Sequence, residues 1–203
     1  MVFTENQIIN NLKKIVDIFC YKYNGKNLIP LDYIVLVNTS YNNDNIAHFC
    51  GFIAKTKKLL LCCIEVDLGR ISSFSSNLVN FLLAHELCHS LDMQLDGDAE
   101  FLACGFVQVS QSLGLNKVIS AKSSPTTEDI KNRLCQLKPD IYGLTRGEHK
   151  CVDLWAKTLL NLSDDDTKQC IEELYDYSTK GIDILTRLKA VKDQDYKSCL
   201  EKI

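Results

Sequence analysis

Long apolar runs are missing from this chain. None approaches the ~20 residues needed to cross a bilayer, and LLLCCIEV, at 59–66, reads instead as a buried strand. An excess of one charge is missing as well. The 23 basic and 26 acidic residues are well mixed and leave a net charge of -3. Such a balance offers no broad field for gripping phosphate backbones, so nucleic acid is not expected as a partner. The ten cysteines form no CxxC pair, so structural zinc held by thiolates is not expected either. The opening stretch MVFTENQIINNLKK has no basic start, apolar run or small-residue cleavage site. The expectation from this is a soluble protein of free thiols in a reducing, cytoplasmic compartment. Internal repeats and low-complexity tracts are absent too.

What is present is ample apolar content, 46%, enough to bury one core. A single domain over residues 1–203 is expected, of class α+β, with a small, mostly antiparallel sheet and a helical C-terminal half. Residues 1–115 would hold a first helix, the sheet and a central apolar helix, and residues 126–203 would be helical. In ENQIINNLKKIVDIFCYK the residues Ile8, Leu12, Ile15, Val16, Phe19 and Cys20 form one helical stripe. LDYIVLVN, AHFCGFIA and KTKKLLLCCIEV read as strands, the last two joined as a hairpin. SSFSSN offers Ser75 or Ser76 as the cap of the helix LVNFLLAHELCHSL, which is apolar nearly all round. Asp96-Gly97-Asp98 would break that helix, and AEFLACGFVQVSQSLG would form a second apolar one. NKVISAKSSP reads as a loop, TTEDIKNRLCQL as a short helix, and KPDIYGLTRG as turns. EHKCVDLWAKTLLNL, DDDTKQCIEELYDYS and GIDILTRLKAVKDQDYKSCL then read as helices.

The stretch AHELCHSLDMQLDGDAE, at 84–100, carries the chemistry. Residues i and i+4 share a helix face, so His85 and His89 can aim imidazole nitrogens at one ion while Glu86 reaches a water bound there. A catalytic zinc needs three protein ligands and an open position, so a third must come from elsewhere. Asp96 and Asp98 are near in sequence. The positions three and six after His89 are Asp92 and Leu95, not the glycine and histidine of metzincins, which disfavours that class. Glu148 and His149 stand at the start of a later helix. Glu148 is favoured, because a carboxylate is the usual companion of two histidines in such peptidases, with His149 as the alternative.

Two stretches resemble a known group. HELCHSLDMQLDGDAE resembles the signature of MtfA-like peptidases, and IYGLTRGEHKCVDLWA resembles a segment of the anthrax lethal factor catalytic domain, both zinc gluzincins. The resemblance spans about residues 46–162. It implies zinc held by His85, His89 and Glu148, with Glu86 as the general base and Tyr142 assisting the oxyanion. The implied function is a zinc endopeptidase acting on a protein or peptide, and the resemblance extends to effector or toxin-like proteases delivered into another cell without a classical signal peptide. The alternative is a regulatory protein of the same scaffold that binds a protein partner. An aminopeptidase ranks last, since no motif for holding a free α-amine is visible. Asp92 and Asp153 are weighed as carboxylates that orient the histidines, each equally readable as an ordinary surface charge. His48 reads as a residue of an edge strand on which an extended substrate could pair. Cys88, Cys62 and Cys63 read as core.

Overall fold

Helix starts in this chain are written by short polar side chains. Thr4 and Gln7 form a capping box: the Gln7 N–H donates to Thr4 Oγ1 (3.3 Å) and the Thr4 N–H donates to Gln7 Oε1 (2.8 Å). From there α1 runs over Glu5–Tyr23, burying Ile8, Ile9, Leu12, Ile15, Val16 and Phe19. Its expected stripe is right except at its edge, where Cys20 is exposed and Ile9 is buried in its place.

The computed structural model describes residues 2–23, 33–38, 46–54, 60–91, 94–95, 117–121, 141–145, 149–177 and 187–188. Six strands follow from the backbone: β1 (Tyr33–Asn38), β2 (Ala47–Ala54), β3 (Leu60–Val66), β4 (Gln94–Leu95), β5 (Lys117–Ala121) and β6 (Ile141–Thr145). They form one sheet in the order β4-β6-β2-β3-β1-β5. β2 and β3 pair antiparallel, as the hairpin reading expects, and β3 then lies parallel to β1. A short helix, α2 (Leu68–Ile71), is capped by Asp67, whose Oδ1 accepts from the Arg70 N–H at 3.0 Å.

The central helix, α3 (Ser76–Cys88), starts at Ser75, whose hydroxyl oxygen accepts from the Leu78 N–H at 3.2 Å. A 3-10 turn, His89–Leu91, follows it directly. The helix therefore stops at the second histidine, earlier than the expected break at 96–98. Downstream, α4 (His149–Leu160) and α5 (Asp164–Tyr177) are joined by a short turn. Asn161 joins them with a φ of 54°, and the Leu162 N–H donates to the Lys157 carbonyl at 3.0 Å. That is the left-handed helix end for which asparagine is suited. Asp164, Asp165 and Asp166 then sit in the first turn of α5, where they oppose the positive helix end. α3 packs against α1, α4 and α5 and against β2 and β3. Among the described residues no helix is long and apolar enough to cross a membrane.

These observations correct the expected class, α+β with a small, mostly antiparallel sheet. Of the residues whose side-chain surroundings are described, 81% are helical and no whole strand is among them. The interior described around α3 is built mainly by helices, with Ile64 and Val66 of β3 also buried in it. The backbone sheet has six strands and one parallel pair, β1–β3, with β5 and β6 drawn from segments read as loop and turns. Those readings weighted glycine, proline and serine at the flanks over the β-branched and aromatic residues of KVISA and IYGLT. The expected helices at 99–114 and 126–137 lie outside the described residues.

Candidate metal centre

Because α3 is apolar on nearly every side, its polar residues are carried into the interior. His85 is 2% exposed, Glu86 6% and His89 0%. One ligand atom from each of the three lies within 4.8 Å of the others, so this buried group can hold a metal ion. The two rings stand edge to face, centroids 4.8 Å apart and planes at 88°. Phe81, one turn earlier, walls the His85 ring at 6.2 Å between centroids. His89 is also the C-cap of α3, its N–H donating to the His85 carbonyl.

The most informative contact comes from α4. Nδ1 of His85 lies 2.7 Å from Oδ1 of Asp153, and Asp153 is itself buried. Its other neighbour is Arg187, with Nε 2.6 Å from Oδ2 and Nη2 2.7 Å from Oδ1. Burial pushes the Asp153 carboxyl up. The charges of Arg187 and His85, with their hydrogen bonds, outweigh that and hold it well below the ordinary carboxylate range. Asp153 is therefore an acceptor and His85 donates from Nδ1, so its Nε2 is the nitrogen that carries the lone pair.

The same helical pair reaches the other end of α3. Glu173 of α5 accepts from the Ser75 N–H (2.9 Å) and from the Ser75 hydroxyl (2.6 Å). α3 is thus gripped at its cap through α5 and at its first histidine through α4.

Other expected residues fall differently. Tyr142 lies on β6, opposite Ile53 of β2. His149 is the first residue of α4, whereas Glu148, Asp92, Asp96 and Asp98 lie outside the described residues. His48 is on β2, which is flanked by β6 and β3 and is not an edge strand. The edges are β4 and β5, so the expected substrate-pairing role of the His48 strand is set aside. Cys88 is buried as core. Burial raises its thiol well above the usual range, with Lys22 opposing and Asp153 adding. Cys151 of α4 is disulfide-bonded, against the expectation that all cysteines are free thiols. Arg187 was not anticipated, since TRLKA reads as an ordinary basic helix face.

No protein-family model, curated protein or solved structure matches the chain.

Proposed function

We propose that this protein is a zinc-dependent endopeptidase whose ion is held by His85, His89 and Glu148. One observation carries the reading: the buried His85-Glu86-His89 group, with Nδ1 of His85 engaged by a buried carboxylate. Metal-ligating histidines almost always give their second nitrogen to such a partner, which fixes the tautomer and ring orientation. The donor set of two imidazoles and a carboxylate suits zinc. In the sequence Glu148 immediately precedes α4, and α4 packs against α3. His149 is the alternative ligand. The resemblance of HELCHSLDMQLDGDAE to gluzincin peptidases supports the same reading.

When bound, zinc supplies Lewis acidity, lowering the pKa of water and polarising a carbonyl. The chain's own residues do the rest. Glu86 takes the proton of the attacking water and returns it to the leaving amine, a role typically worth ~10²–10⁴-fold. Its burial excludes bulk water from that transfer. His85 and His89 would hold the ion, and Asp153 fixes the His85 ring in one orientation. Tyr142 is assigned to the developing oxyanion, where a positioned donor contributes about 2.7 to 4 kcal/mol.

The test is metal content by mass spectrometry, with Glu148→Ala and His149→Ala beside the wild type, followed by hydrolysis of a protein extract. One zinc per wild-type chain, lost in Glu148→Ala and kept in His149→Ala, with cleavage abolished in Glu86→Ala, is expected. Absence of zinc after reconstitution overturns the reading and favours a partner-binding protein.

A further inference from the structure

Asp153 touches His85, yet a carboxylate on a helix has one soft motion left. The torsion that spins its plane is broad, with no sharp rotamer to hold it. Here that motion is stopped by a second partner. Arg187 meets both oxygens, Nε to Oδ2 at 2.6 Å and Nη2 to Oδ1 at 2.7 Å. Oδ1 thus receives a hydrogen from Arg187 and one from His85, each at 2.7 Å. His85, Asp153 and Arg187 are all buried, so bulk water does not readily substitute for either donor. A planar guanidinium matches a carboxylate with two parallel hydrogen bonds, which a lysine ammonium cannot reproduce.

We propose that Arg187 is a positioning residue of the metal centre: by fixing the plane of Asp153 it fixes the ring of His85, and so sets the affinity for the ion without touching it. This rests on the metal-binding reading above. It deepens it by making that affinity depend on a residue 34 positions beyond Asp153, outside both stretches that carry the motif. The pair also brings no net charge to the site, because the guanidinium balances the carboxylate. Glu86 and the third ligand are left to set the charge that the ion meets.

The experiment is a double-mutant cycle on the full-length protein, with Zn2+ affinity read by chelator competition and geometry read from the absorption spectrum of the Co2+-loaded form. Arg187→Met is expected to weaken Zn2+ binding by ~10–100-fold, the range for groups that orient a ligand, and to change the Co2+ spectrum. Arg187→Lys, which restores the charge but not the fork, is expected to fall between. In an Asp153→Ala background Arg187→Met is expected to cost no further affinity. Wild-type affinity and spectrum in Arg187→Met would overturn the proposal, as would an equal loss in the Asp153→Ala background. A fall in thermal midpoint with unchanged affinity assigns Arg187 a merely structural role and overturns it too. Should Arg187→Met not fold, Arg187→Gln and Arg187→Lys carry the same cycle. Wild-type protein that binds neither ion removes both readings, whereas binding that ignores Arg187 removes this one alone.

Discussion

Helices α1 and α3 are buried in opposite ways. α1 shows the interior one stripe and leaves the rest to water, with Ile18 and Tyr21 among its exposed side chains. From Leu78 to Cys88 α3 buries every residue except the half-buried Asn80. In α1 the pattern of burial is the message, and its polar residues are incidental. In α3 there is no pattern to read, so the polar residues become the message: a histidine inside must be held by a partner or be there for a ligand. The first helix is built for stability and the second for a task.

The sharpest way to test that division is His89→Ala, which is expected to weaken zinc binding by more than the ~100-fold typical of losing a merely orienting group. Chelator competition measures it. Next comes Glu86→Gln: hydrolysis should fall ~10²–10⁴-fold while zinc stays at one per chain, read by turnover and metal content on one preparation. On the other helix, Phe19→Ala should lower unfolding free energy by ~3–5 kcal/mol in denaturant titration, and leave zinc affinity of the folded protein unchanged. If Phe19→Ala weakened zinc as strongly as His89→Ala does, the division between the helices would collapse.

Acid supplies a subtler probe. The Asp153 carboxyl is held low in the folded protein, so folding disfavours its protonation. Its contribution is fully present above the unfolded carboxylate pKa of ~3.9 and is lost as pH falls through the lower folded value. Arg187→Met removes the cation that holds it low, so the loss should become smaller and be complete at higher pH, followed by circular dichroism. The smallest expected effect is that of Ser75→Ala, ~0.5–2 kcal/mol for an N-cap, toward the upper end if the grip of Glu173 is lost with it.

Local features were legible in the sequence. The spacing of His85, Glu86 and His89, the cap at Ser75 and the stripe of α1 each depend on neighbours a few residues away. Cys20 was misplaced because adjacent helical residues differ by 100°, and a stripe's edge is decided by what packs there. Asp153 was only a candidate, since a carboxylate in VDLWA looks the same whether it meets water or an imidazole. Arg187 was invisible: nothing links it to Asp153 except the fold. Strands β5 and β6 were missed for a related reason. Strand pairing is a long-range choice, and KVISA and IYGLT find their partners at β1 and β2, far away in the chain. The third ligand and the role of Tyr142 remain proposals carried by spacing and resemblance.

The grip of α4 and α5 on the two ends of α3 has a mechanical meaning. A helix packed by apolar contacts alone can roll about its own axis, because such contacts have little angular preference. Here the two bearings are polar and directional, supplied by two helices that are joined by a short turn. Side-chain tips lie ~5–6 Å from a helix axis, so a roll of about 10° would carry an imidazole nitrogen through roughly 1 Å, a displacement that can cost ~10²-fold in rate. The two contacts therefore act together as a torsional lock on α3, one at each end of the helix.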